Sequence, residues 1–135
     1  GYLVAEESVI GQCMKVHQYC QACATSIAQY AAVAAYTGDQ SSVATMRREY
    51  QARRDLLYEG LNRLGFQFPL PEGAFYAFVE APDGDGDAFC KRAIEHSVLV
   101  IPGSVFSERK THFRISFAAD DRTIEEGVRV LCSLA

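Results

Sequence analysis

Apolar side chains recur through the middle of the chain at Val43, Met46, Tyr50, Leu57, Leu61 and Leu64, with gaps of three, four, seven, four and three that keep one stripe on the helical period. The spacing predicts a long helix over residues 41–64. Its other face carries Arg47, Arg48, Glu49, Arg53, Arg54, Asp55, Glu59 and Arg63, and Gly65 supplies a stop. Beyond Gly65 the period changes. Residues 66–68 predict a short strand ended by Pro69 and Pro71, and residues 74–79 a second strand rich in aromatics. Residues 81–86 read as a turn. Residues 87–95 predict a helix with Phe89, Cys90, Ala93 and Ile94 inward. Residues 98–101 predict a fully apolar, central strand, Pro102-Gly103-Ser104 a tight turn, and residues 112–117 a further strand. Asp120 or Asp121 caps a last helix whose inner face is Ile124, Val128, Leu131 and Leu134.

Upstream of residue 37 the pattern is of another kind. Residues 1–5 form an apolar run of strand type. Glu6-Glu7-Ser8 opens a helix with Val9, Ile10, Cys13, Val16 and His17 at helical spacing. After a break at residues 20–24, Ser26-Ile27-Ala28-Gln29 reads as a capping box. In it the Ser26 hydroxyl accepts from the Gln29 amide and the Gln29 side chain reaches back to the Ser26 amide. The Ala-rich helix it opens runs to Tyr36 and ends at Gly38-Asp39. The order from residue 37 onward, α, β, β, α, β, β, α, predicts an α+β fold, a small mostly antiparallel sheet with helices on one face. Residues 1–36, a lone strand and two helices, have no sheet of their own and read as the helical tail of another domain; residues 37–135 form the second domain.

A length of 135 residues suits one domain plus a piece of another, and 49% apolar residues excludes broad disorder. The net charge of −4 carries no bias toward nucleic acid or an anionic membrane surface. The apolar part of the longest uncharged run, residues 30–36, is far shorter than the ~20 residues a membrane span needs. The acidic start has no signal-peptide character, and without an initiator Met a fragment is expected. Five cysteines, an odd count at low density, suit reduced thiols in a cytoplasmic protein.

Candidate chemistry is sparse. Cys13, His17 and Cys20 can share a helix face, and Cys20-x-x-Cys23 has the spacing of a zinc or redox pair. No second Cys or His pair follows at zinc-finger spacing, so small thiols filling a packed helix interface account for them better, and no metal site is expected. Asp83-Gly84-Asp85-Gly86-Asp87 begins like a calcium loop, but Ala88 and Ile94 stand where Gly and Glu are required, which leaves an acidic turn capping the next helix. His17, His96 and His112 sit beside no nucleophile, and no phosphate-binding glycine loop occurs. The arginines of residues 47–54 are interleaved with acids as on a solvated helix face. Arg114 differs. It lies inside the apolar run His112-Phe113-Arg114-Ile115-Ser116-Phe117, and alternation puts it on a face with His112 and Ser116. Two readings stay open for it: a planar fork for a carboxylate, or a strand Arg with a surface partner.

Several stretches together resemble the C-terminal part of fold-type-I, pyridoxal-phosphate-dependent aminotransferases of class I/II, the aspartate aminotransferase group. They are Gly1-Tyr2, Thr25-Ser26-Ile27-Ala28-Gln29, Arg53-Arg54-Asp55-Leu56-Leu57, Pro71-Glu72-Gly73-Ala74-Phe75-Tyr76, Val100-Ile101-Pro102-Gly103-Ser104-Val105-Phe106 and Phe113-Arg114-Ile115-Ser116-Phe117-Ala118, in family order and spacing. The resemblance implies transfer of an amino group between an amino acid and a 2-oxo acid, by a cytoplasmic homodimer. It implies that Arg114 grips the substrate α-carboxylate, and that Gly73 and Phe75 belong to a loop lining the substrate pocket. The turn at Pro102-Gly103-Ser104 lies near the same cleft, and Cys23-Ala24-Thr25 near its entrance, although the usual Pro or Asn before the capping box is replaced here by Cys23-Ala24. It also implies that residues 1–36 end the large cofactor domain. The family's Schiff-base Lys and phosphate-binding Arg lie just before the Gly-Tyr pair. Lys15, Lys91 and Lys110 are not in that context, so this chain carries no catalytic residue, and alone it neither holds pyridoxal 5'-phosphate nor transaminates. Two other classes stay open: a lyase or synthase on the same fold, and a non-enzymatic α+β module that binds a ligand or a partner.

Overall fold

The computed structural model describes residues 1–135, which fall into two units, Gly1–Ser42 and Val43–Ala135. The first consists of helices α1 (Glu7–Cys20) and α2 (Ser26–Thr37). Residues 1–5 form no strand, because the unit offers them no neighbour to pair with and an unpaired strand leaves its amides and carbonyls to water. The cap of α2 sits one residue earlier than the capping box predicts. Thr25 accepts from the Ala28 amide at 3.4 Å, and the Gln29 side chain donates to the Ala24 carbonyl at 2.8 Å. Gly38 closes the helix, its amide reaching the Ala34 carbonyl. No residue of either helix is buried, and Ile10 alone is half-buried.

The second unit is built around α3 (Ser41–Asn62), β1 (Tyr76–Glu80), α4 (Gly86–Glu95), β2 (Ile101–Pro102), β3 (His112–Ser116) and α5 (Asp121–Ser133). The three strands form one antiparallel sheet in the order β1-β3-β2. Helix α3 ends as its sequence requires: Gly65 takes φ +91°, a left-handed conformation open to a residue without Cβ, and the chain turns back so that Phe66 is buried. Asp85 caps α4 by accepting from Ala88, and Asp120 caps α5 by accepting from Thr123.

The core is the inner face of the sheet with three helices on it. Ala77 and Val79 of β1 and Phe113 of β3 meet Leu57 and Leu61 of α3, Phe89, Cys90 and Ala93 of α4, and Ile124 and Leu131 of α5. Phe113 is its centre, stacked on Phe89 at 4.9 Å and edge-on to Phe66 at 6.3 Å. Such pairs add about 0.5–1.5 kcal/mol each beyond the area they bury.

Four expectations need correction. The stripe on α3 is buried only at Leu57 and Leu61, with Tyr50 partly covered; Val43, Met46 and Leu64 are exposed, because no element of this unit lies over them. Residues 66–68 join no ladder. Pro69 and Pro71 cut the run short, and a single bond, from the Glu80 amide to the Gln67 carbonyl, ties it to the sheet's end. The apolar run 98–101 is not a central strand: only Ile101 and Pro102 pair, at the edge, and the central strand is the Arg-bearing β3. Leu99 is exposed while Val100 is buried, so this run alternates rather than burying both faces. Ile94 is exposed, on the flank of α4 away from the sheet.

Candidate active site

Strand alternation builds the site. With Ala77, Val79 and Phe113 committed to the core, the opposite sheet face receives Tyr76 and Phe78 from β1 and His112, Arg114 and Ser116 from β3. Arg114 is central on this face, opposite Phe78 on one side and Ile101 on the other. It is half-buried, and no hydrogen bond or ion pair within the chain engages its guanidinium. Its Cζ lies instead over two aromatic rings, 4.2 Å from the centroid of Tyr76 and 4.1 Å from that of Phe106. Tyr76 comes from β1. Phe106 comes from the turn that follows β2, on the other side of β3. The rings stabilise a cation without accepting an N–H···O bond, so the planar fork of donors stays open for an anion.

The turn that delivers Phe106 is tightly held. A one-turn 3₁₀ helix, Gly103–Val105, follows β2, and the Gly103 carbonyl accepts from the amides of both Phe106 and Ser107. A Cβ on Gly103 would stand 2.6 Å from the Arg109 carbonyl oxygen, 2.7 Å from that of His112 and 2.8 Å from the Phe78 ring, so only glycine lets this turn sit against β3. Ser104 donates to the Asp87 carboxylate at 2.7 Å, tying the turn to the first turn of α4. Phe78 stacks on His112 at 5.0 Å beside it.

Gly73 and Phe75 lie on the approach to β1. Ala74 between them has φ +56°, a conformation that costs a residue with a Cβ roughly 1–2 kcal/mol. The Phe75 carbonyl accepts from the Phe117 amide at 3.0 Å, and its ring lies 4.5 Å from Tyr76 and 5.9 Å from Tyr50. Phe75 thus reaches Arg114 through Tyr76. Gly73 lines a cleft of about 330 Å³ with Arg47, Tyr50, Arg54 and Phe117, which does not include Arg114, and a Cβ on Gly73 would meet no atom of the chain. Arg54 is committed there, to Asp55 at 2.6 Å and to the Pro71 carbonyl.

The remaining candidates lie elsewhere. Cys13, His17 and Cys20 line one side of α1, and no three His, Cys, Asp or Glu side chains of the chain stand close enough to share a metal ion. Asp83 holds Arg92 at 2.7 Å, and that bond keeps its carboxyl below the usual carboxylate range. Burial, with the charge of Asp87 second, pushes the Cys90 thiol up to about 11. Lys15, Lys91 and Lys110 are exposed. Hydrated surface amines are not the desolvated lysines that hold a carbonyl cofactor as an imine, so the residues of this chain do not by themselves fit pyridoxal phosphate. Tyr76 and Phe106 are the site residues that sequence reasoning missed. Alternation already puts Tyr76 on the face of Arg114, since Ala77 and Val79 take the other side; nothing local marks Phe106.

The model of aminotransferase class I and II matches residues 1–131. A probable aspartate aminotransferase of Methanocaldococcus jannaschii is 40% identical over 97% of this chain and 37% of its own length. Aromatic-amino-acid aminotransferase 2 of Thermococcus litoralis is 35% identical over 95% of this chain and 34% of its own. The crystal structure of aspartate aminotransferase from Thermotoga maritima superposes with a TM-score of 0.73 at 34% identity, covering 82% of this chain and 28% of that one. The chain therefore spans about a third of the length of the curated relatives it matches. With the sheet, its helices and its ordered motifs all accounted for, the chain belongs to the class I and II aminotransferase family.

Proposed function

We propose that this chain is the substrate-carboxylate-binding portion of a pyridoxal-phosphate-dependent enzyme that moves an amino group between an amino acid and a 2-oxo acid. The observation that carries this reading is the Arg114 guanidinium: half-buried, flanked by two rings and without an acceptor in its own chain. Two parallel N–H···O bonds from such a fork fix a carboxylate in position and in rotation, which is what a reaction at the adjacent carbon requires. Gly73 and Phe75 belong to the approach to this site: Phe75 reaches Arg114 through Tyr76, and Gly73 lines the cleft beside Tyr50. Residues 1–36 are the end of a large cofactor domain and residues 37–135 the small domain. The intact enzyme works as a cytoplasmic homodimer, in which bound pyridoxal phosphate would supply the electron sink. The lysine that holds the cofactor lies outside this chain, which alone does not transaminate.

The test is a screen of amino acids on the intact enzyme beside Arg114→Gln and Arg114→Lys. Removing the charge should raise KM for the amino acid about a hundredfold or more, the range for truncating one partner of a desolvated charge pair. Lys should recover only part of the loss, because it offers a point charge rather than a fork. An unchanged KM in Arg114→Gln overturns the assignment.

A further inference from the structure

We propose that Phe106 and Tyr76 are positioning residues. They hold the Arg114 guanidinium in one orientation, so that an incoming carboxylate finds the donors of the fork already aligned. This inference rests on the carboxylate reading of Arg114.

A free arginine side chain has four rotatable bonds before its planar group, and binding must freeze them. A protein usually does this with a carboxylate partner, but such a partner would occupy the N–H groups the ligand needs. Here two rings do it instead. The Cζ of Arg114 is 4.2 Å and 4.1 Å from their centroids, well inside the reach of a cation–π contact, and the rings come from opposite sides of the central strand. Both rings have their own anchors. Tyr76 is fixed by the β1–β3 ladder and by Phe75 at 4.5 Å. Phe106 is fixed by the Gly103 carbonyl, in a turn whose buried Gly103 lies so close to β3 that an added Cβ would stand 2.7 Å from the His112 carbonyl oxygen and 2.8 Å from the Phe78 ring. Phe106 is 48% exposed, so folding alone does not demand an aromatic there. Its apolar surface is spent on the guanidinium. Orientation settled before binding is affinity gained, since the ordering cost is already met in the free protein.

The experiment follows the Arg114 Nε–Hε resonance of the intact enzyme during titration with acetate, in the native protein and in Phe106→Leu, Phe106→Tyr, Tyr76→Leu and Arg114→Gln. The native resonance should carry a ring-current shift and move with acetate. Phe106→Leu should lose part of that shift and weaken acetate binding about fivefold, at an unchanged unfolding midpoint. Phe106→Tyr should restore both, and Tyr76→Leu should weaken binding independently. Native-like acetate binding in both Leu variants overturns the inference and leaves the carboxylate reading standing. A native Arg114 resonance indifferent to acetate overturns the carboxylate reading itself.

Discussion

The Val43–Ala135 unit buries fourteen apolar side chains, whereas Gly1–Ser42 buries none, although its second helix is the most apolar in the chain. Tyr2, Val4, Tyr19, Ile27, Tyr30 and Tyr36 all stand in the open. Apolar content therefore does not make a core. In the larger unit the strands and helices are ordered so that each apolar stripe meets another, with Phe113 between Phe66 and Phe89. In the smaller one, two helices of 14 and 12 residues have no sheet to cover. Helices of that length are marginal on propensity alone, so their stability depends on packing that residues 1–42 do not supply to one another.

Substitution gives the sharpest test of that contrast. Phe113→Ala should destabilise the larger unit by about 3–5 kcal/mol, the range for emptying a buried aromatic site, whereas Tyr30→Ala should change stability by less than about 0.5 kcal/mol. Urea unfolding followed by aromatic fluorescence and by circular dichroism measures both, and equal losses would erase the distinction.

Thiol chemistry reads the same difference without mutation. Cys13, Cys20 and Cys23 are exposed, while Cys90 is buried with its thiol pushed up to about 11. Two pK units alone remove about a hundredfold of the reactive thiolate. Iodoacetamide at pH 8 with site-resolved mass spectrometry should label the three cysteines of the first unit at least that much faster than Cys90. Comparable rates would show that the larger unit opens readily.

The smallest effect concerns the Asp83–Arg92 pair that closes the turn before α4. Its carboxyl is held below the usual range in the folded protein, chiefly by the Arg92 hydrogen bond. The stabilisation is therefore complete above the ordinary Asp value of ~3.9 and is lost as the pH falls through the folded value. Both side chains are about two-fifths exposed, so screening limits the contribution to at most about 0.5 kcal/mol. Asp83→Asn should flatten the acid limb of the stability–pH curve by that amount and leave stability at pH 7 slightly lower. An unchanged acid limb would remove the pair from the account.

Much of this was legible in the chain. The long helix, its glycine stop, the capping aspartates and the alternation of β3 all depend on neighbours a few residues apart. Arg114 stood out because a charged residue inside an apolar strand needs a reason. What was not legible depended on distant partners. The run 98–101 looks central by composition, yet it pairs over two residues at the edge, because Pro102 has no amide to give and the following turn leaves the sheet. Val43 and Met46 fit the stripe of α3 but have nothing of their own unit above them.

From the amino-acid order alone came the five helices, the alternation of β3, the family resemblance and the arginine on that strand's face opposite Phe113. Only the folded chain decided the strand order and which two rings meet that arginine. Phe106 is eight residues from Arg114, beyond the reach of any helical or strand period, and the two are brought together by a turn pressed against the backbone of β3 through the bare Cα of Gly103. Local periodicity records which way a side chain points; what it points at is set by a contact made across the sheet, after the chain has come back on itself.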